Sequence, residues 1–164
     1  MGDACHHHHD DGPPTAEAVS GALAAADARL TSEGERMTPA RLRVLELLLA
    51  AGEPVKAYDL IARFGEDGQP AKPPTVYRAL EFLERKGLAH RIASISAYVA
   101  CTEGGPAHAA AFLICDCCGA TAEVTAPLAG ALDRAAREAG YDIVRTTVEA
   151  HGRCPACRIA ADAA

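Results

Sequence analysis

The chain has 164 residues, 49% of them apolar but only 4% aromatic, which fits one medium domain or two small ones with thin cores. Units that thin usually need a metal, a disulfide or a partner subunit. The net charge of -6 argues at first sight against a nucleic-acid partner. No apolar stretch approaches the roughly 20 residues of a membrane span. The N-terminus also lacks the basic and apolar regions of a signal peptide. Seven cysteines, an odd number and partly in close pairs, then point to thiolates in a reducing cytoplasm rather than to disulfides.

The charge is unevenly spread. Residues 1–28 carry five acids and no Lys or Arg, a net -5. Residues 29–91 carry eleven Lys/Arg against nine Asp/Glu, a net +2, and residues 92–164 carry a net -3. Most basic residues therefore lie in one 63-residue segment, where a phosphate-contacting surface is expected.

Residues 1–14, with Cys5, the run His6 to His9 and two prolines, read as a disordered tail. The His run is either a loose metal-gathering tract or a non-specific one. Thr15–Leu30 is Ala-rich and helix-prone. Thr38-Pro39 opens a second helix, Thr as N-cap and Pro at the first position. Leu42, Leu45, Leu48 and Leu49 are placed on its apolar side, and Gly52 and Pro54 stop it. Ala57–Phe64 is a short third helix. After a turn, Pro74 sits in the first turn of a fourth helix that runs to about Lys86, with Gly87 at its end.

In that fourth helix Val76, Leu80 and Leu83 share one face and should pack inward. Arg78, Glu81 and Arg85 lie opposite, with Tyr77 beside them. Such a helix can lie in a major groove with its N-terminal residues over base edges. Two short β patterns follow, Ala89–Ala93 and Ala97–Cys101, and three helices plus a hairpin make a winged helix. A plain helical bundle with a solvated charged face is the competing reading.

Gly104, Gly105 and Pro106 mark residues 102–107 as a hinge. Beyond it, Ala110–Cys115 and Ala120–Thr125 read as strands. Pro127–Ala139 reads as a helix with Leu128 and Leu132 inward, and Tyr141–Ala150 as a long strand. The expected class is α+β: a winged helix-turn-helix over 15–101 and a small α/β dimerisation domain over 108–164. The exposed edges of a three-stranded sheet call for a second subunit, so a homodimer is expected.

Two Cys-x-x-Cys knuckles, Cys115/Cys118 and Cys154/Cys157, supply the four thiolates of a closed tetrahedral zinc site. With every position filled, the zinc there is structural. Two separate redox pairs are the alternative; the expectation that neither pair follows a strand and opens a helix weighs against it. Cys117 is a spare thiol inside the first knuckle. A second constellation is His90, Cys101, His108 and Glu123. Spacing alone leaves it open between a metal site straddling the hinge and four unrelated side chains. The zinc-deaminase signature is missing, because Pro155 lies inside the second pair and no His-x-Glu occurs. No Ser/His/Asp arrangement or phosphate-cradling Gly loop suggests an enzyme or a small-molecule substrate.

The segments RMTPARLRVLELL, KAYDLIARF, KPPTVYRALEFLERKGLAHRI, AYVAC, FLICDCCGATAEV and VEAHGRCPAC resemble, in this order, the ferric uptake regulator superfamily in its zinc uptake regulator branch. The resemblance runs from about Ala24 to Cys157. It implies a homodimeric winged-helix repressor that binds AT-rich inverted repeats in double-stranded operator DNA when zinc is replete. It carries Cys115, Cys118, Cys154 and Cys157 onto a structural zinc site. His90, Cys101, His108 and Glu123 fall on a regulatory one, giving two zinc ions per protomer. Thiolate plus imidazole at that second site favours zinc over the harder ligand sets of iron or manganese sensors.

Tyr77 and Arg78 match the recognition-helix motif. Arg78 is suited to guanine O6/N7, and Arg41, Lys56, Tyr58, Lys72 and Thr75 to the DNA backbone. Any one of these charges has solvation as its simpler explanation. His151 reads as support for the second knuckle. Two other readings stay open: an iron- or peroxide-responsive member of the same superfamily, and a winged-helix/zinc-ribbon module that binds another protein.

Overall fold

The computed structural model describes residues 14–65, 69–101, 110–125, 128–144 and 146–162. The chain divides into two compact units, one within Asp11–Pro106 and one within Ala107–Ala164. Among the described residues no helix is long and apolar enough to cross a membrane.

The first unit is a winged helix. Helix α1 (Ala16–Ser32) starts where Thr15 Oγ1 accepts the Ala18 amide at 3.2 Å, and it buries Ala26 and Leu30. Helix α2 (Pro39–Ala51) has Thr38 as N-cap and Pro in its first turn. Its buried stripe is Val44, Leu45 and Leu48, while Leu42 stays 40% exposed. The expected stripe was thus rotated: at 100° per residue Leu42 sits about 120° around the helix from Leu48, off the core side. Strand β1 (Val55–Lys56) leads into helix α3 (Ala57–Arg63). Arg43 on α2 donates to the carbonyls of Phe64 and Arg63 at 2.9 and 3.2 Å, satisfying acceptors that the end of α3 leaves free.

Helix α4 (Pro73–Arg85) buries Val76, Ala79, Leu80, Phe82 and Leu83. At its C-terminus Gly87 adopts φ +62. The Gly87 amide donates to Glu84 and the Leu88 amide to Leu83, a Schellman closure that a β-carbon would strain. The chain then turns at once into β2 (Ala89–Ile92) and β3 (Ala97–Ala100), an antiparallel hairpin in register Ala89↔Ala100 to Ile92↔Ala97. Strand β1 pairs with the other side of β3, giving the order β1-β3-β2. The wing is therefore three-stranded. Leu30, Val44, Leu48, Leu60, Val76, Leu80 and Leu83 form the centre of one core that joins the four helices.

The second unit is a sheet of order β5-β4-β6, built from β4 (Ala110–Cys115), β5 (Thr121–Thr125) and β6 (Thr147–Gly152). Strand β5 is antiparallel to β4 and β6 is parallel to it, with α5 (Leu128–Glu138) between β5 and β6. Strand β6 begins at Thr147, not at Tyr141. Its ladder starts opposite Ala110, and Tyr141 and Val144 are 74% and 85% exposed. Leu132 on α5 does not point inward as expected; it is 46% exposed, because among the described residues no element packs closely over this amphipathic helix. The side chain of Leu128 is outside the described set, as are residues 1–13 of the tail, the whole expected hinge (102–107) and His108. A further helix, α6 (Pro155–Asp162), follows β6 directly.

Candidate metal centre

Strand β4 ends at Cys115, and the next five residues fold back on it. The Gly119 amide donates to the Cys115 carbonyl at 2.9 Å, and the Cys115 amide to the Ala120 carbonyl at 2.8 Å. Gly119 has φ +76, which lets the knuckle close within five residues. The second pair sits where β6 passes into α6. Cys154 immediately precedes the helix, its sulfur accepts the Cys157 amide at 3.5 Å, and its carbonyl accepts the Arg158 amide at 3.0 Å. The second pair therefore does follow a strand and open a helix, contrary to expectation. What argues against a separate redox pair is the neighbourhood: the sulfurs of Cys115, Cys118, Cys154 and Cys157 all lie within 4.8 Å of one another.

The geometry fits zinc. A Zn–S bond of about 2.3 Å at the tetrahedral angle separates sulfurs by about 3.8 Å. The Cys118 and Cys154 sulfurs are 3.8 Å apart. The Cys154 amide also donates to the Cys115 sulfur at 3.3 Å. Backbone donors from Cys154, Cys118 and Cys117 hold the Cys115 thiol down to about 6, so it is a thiolate at neutral pH. Burial, together with the neighbouring sulfurs, pushes Cys157 far above the ordinary thiol range. Four sulfurs packed this closely cannot all ionise without a cation among them, and a d10 ion that takes four thiolates supplies that charge.

Loading the cage must accordingly release protons. The sign follows from the directions: Cys157 is protonated in the metal-free cage at pH 7, and Cys115 joins it below about 6. Zinc affinity is expected to rise with pH and to fall as acidification passes about 6. Proton release during a zinc titration in weak buffer, repeated at several pH values, checks this.

A second pair of candidate ligands lies in the winged helix. His90 on β2 is buried, and the ligand atoms of His90 and Cys101 lie within 4.8 Å of each other. The Cys101 amide donates to the Leu88 carbonyl at 3.0 Å, extending the β2–β3 ladder by one step, so both side chains stand at the foot of the wing. In the other unit Glu123 is half-buried on β5, paired in register with Phe112.

The surface of α4 is arranged as expected. Tyr77 and Arg78, in its N-terminal half, are exposed away from the buried stripe, and Lys72, at its N-cap, and Thr75 are exposed at the start of the helix. Tyr58 on α3 is 79% exposed, and Lys56 on β1 is exposed. Arg41 is different. Its guanidinium lies 3.3 Å over the Phe82 ring and donates to the Arg36 carbonyl at 2.6 Å, so it is tethered to the domain. One polar pair has no signature in the sequence: His151 Nδ1 and Asp116 Oδ1 are 2.8 Å apart.

A winged helix and a small sheet closed by a four-sulfur cage define a metal-binding protein of the winged-helix class. Residues 32–151 match the model of the ferric uptake regulator family. The chain belongs to that family. It is 39% identical over 137 residues to the zinc uptake regulation protein of Escherichia coli (strain K12), covering 82% of this chain and 80% of that protein. Among solved structures it is similar to a zinc uptake regulator complexed with zinc and DNA. That match has a TM-score of 0.79 at 37% identity and covers 92% of this chain and 100% of that one. The holo form of XcZur matches with a TM-score of 0.75 at 38% identity, over 86% and 99% of the two chains.

Proposed function

We propose that this chain is a zinc-responsive transcriptional repressor that binds operator DNA as a homodimer when zinc-loaded and controls zinc-uptake genes. The observation that carries the reading is the placement of His90 and Cys101 at the foot of the wing, one hairpin away from the exposed face of α4. The likeness to zinc uptake regulation proteins and to a DNA-bound zinc uptake regulator supports it.

Two zinc ions per protomer are proposed. Cys115, Cys118, Cys154 and Cys157 hold the first, which closes the sheet domain. His90, Cys101, His108 and Glu123 hold the second. Two of these ligands belong to the winged helix and two to the part of the chain beyond the hinge at 102–107, so this set links the domains 15–101 and 108–164. Zinc supplies a fixed tetrahedral crosslink and no redox chemistry. The half-exposed Leu132 face of α5 is what a second copy covers. Cytoplasmic location and the lack of any catalytic role belong to the same reading, and the operator is an AT-rich inverted repeat.

On the DNA, Arg78 reads a base edge, and Lys72, Thr75, Tyr58 and Lys56 hold the backbone. Arg41 supports them from its stack on Phe82. Arg78→Ala is expected to cost about 1–3 kcal/mol at one base position and to relax specificity there. Binding to a panel of single-base operator variants checks it, and a uniform loss across the panel would move Arg78 to the phosphates. The function itself is tested by titrating operator binding against buffered free zinc, with iron(II) and manganese(II) alongside. A footprint that appears with zinc is expected. One that follows iron, or ignores metal altogether, defeats the proposal.

A further inference from the structure

We propose that Asp116 and His151 form a latch across the two knuckles that slows zinc release from the four-sulfur cage. The inference rests on the reading of that cage as a zinc site and adds positioning residues to it.

Asp116 lies inside the first knuckle, next to Cys115. His151 lies on β6, three residues before Cys154. They are 35 residues apart in sequence and meet because β6 runs parallel to β4 with Ile114 opposite His151 and Cys115 opposite Gly152. The Asp116 amide extends that ladder by donating to the Gly152 carbonyl at 2.9 Å. Nδ1 of His151 donates to the Asp116 carboxylate at 2.8 Å.

Both arms of the cage are thus pinned just where they leave the sheet. Separating Cys115 and Cys118 from Cys154 and Cys157 requires the two arms to part. The contacts that hold them at this end are the Asp116–Gly152 backbone bond, the Asp116–His151 side-chain bond and the sulfur contacts themselves. An exposed pair of this kind adds little to global stability, and both side chains are open to solvent at 40% and 64%. Its leverage is local, on the opening that lets the ion out. Groups outside the ligand set commonly tune metal retention in this way.

The test uses the full-length protein in a Cys101→Ser background, so that one class of zinc remains. Zinc release to an excess of a chromophoric chelator is followed. His151→Ala and Asp116→Ala are each expected to speed release by about 3- to 10-fold, the range of one net hydrogen bond. The double variant should be no faster than either single one, because both remove the same contact. His151→Asn places an amide N–H where Nδ1 stood and should restore slow release, which a bulk effect on folding would not do. A release rate indifferent to His151→Ala, or multiplicative effects in the double variant, overturns the latch while leaving the cage intact. X-ray absorption showing no four-sulfur zinc in the parent protein would instead overturn the underlying site.

Discussion

Cys118→Ser is expected to unfold or dissociate the sheet domain rather than merely weaken it. Cys118 supplies one of four sulfurs that lie within 4.8 Å of one another, 3.8 Å from Cys154, between the end of β4 and the start of α6. Structural zinc in small domains contributes about 10–16 kcal/mol at neutral pH, and binding is counted in folding. The three-stranded sheet has few other means of closure, since α5 leaves Leu132 half-exposed. About 1 kcal/mol moves the Tm of a domain this small by about 4–8 °C, so a drop of more than about 10 °C is expected even with partial metal retention. Zinc content per chain, thermal unfolding and light scattering of the dimer measure it together. A dimer of wild-type stability that has lost this metal would remove the structural role.

Cys101→Ser is expected to behave in the opposite way. Cys101 lies after β3, outside the core of the winged helix, and its backbone bond to Leu88 does not depend on the side chain. The fold and one zinc per chain should survive. What should be lost is the zinc-dependent gain in operator affinity. That coupling is expected to be about 1–3 kcal/mol, or roughly 5- to 150-fold. By linkage, operator DNA is then expected to tighten the second zinc by the same factor in the parent protein and not in the variant. Fluorescence anisotropy with and without buffered zinc measures both sides of the cycle. If Cys101→Ser kept the full zinc response, the pairing with His90 would be a packing feature.

Much of this was legible in the residues. The α4 stripe was readable because Val76, Leu80 and Leu83 obey a 3.6-residue period without interruption, and all three are fully buried. The hairpin was readable from two short apolar runs around a polar turn. The four thiolates were readable because Cys-x-x-Cys has few other uses when two copies converge. Other features were not. Strand β1 has two residues, too few for any periodicity. Helix α6 is hidden in the sequence by the metal motif at its N-terminus, which is why Cys154–Cys157 is not expected there to open a helix. The stripe of α2 is harder to place because five leucines and a valine offer more apolar positions than one face can hold. The Arg41–Phe82 stack and the Asp116–His151 pair join residues 41 and 35 positions apart, a product of packing and of parallel strand register.

The order β1-β3-β2 carries one more consequence. Because β1 immediately precedes α3 and β2 follows α4 after a tight closure at Gly87, the wing is fastened at both flanks of the helix-turn-helix. If His90 holds the second zinc as proposed, a pull on its imidazole would act through β2 on a strand ladder joined to both α3 and α4, and so on the recognition surface as well as on the hairpin.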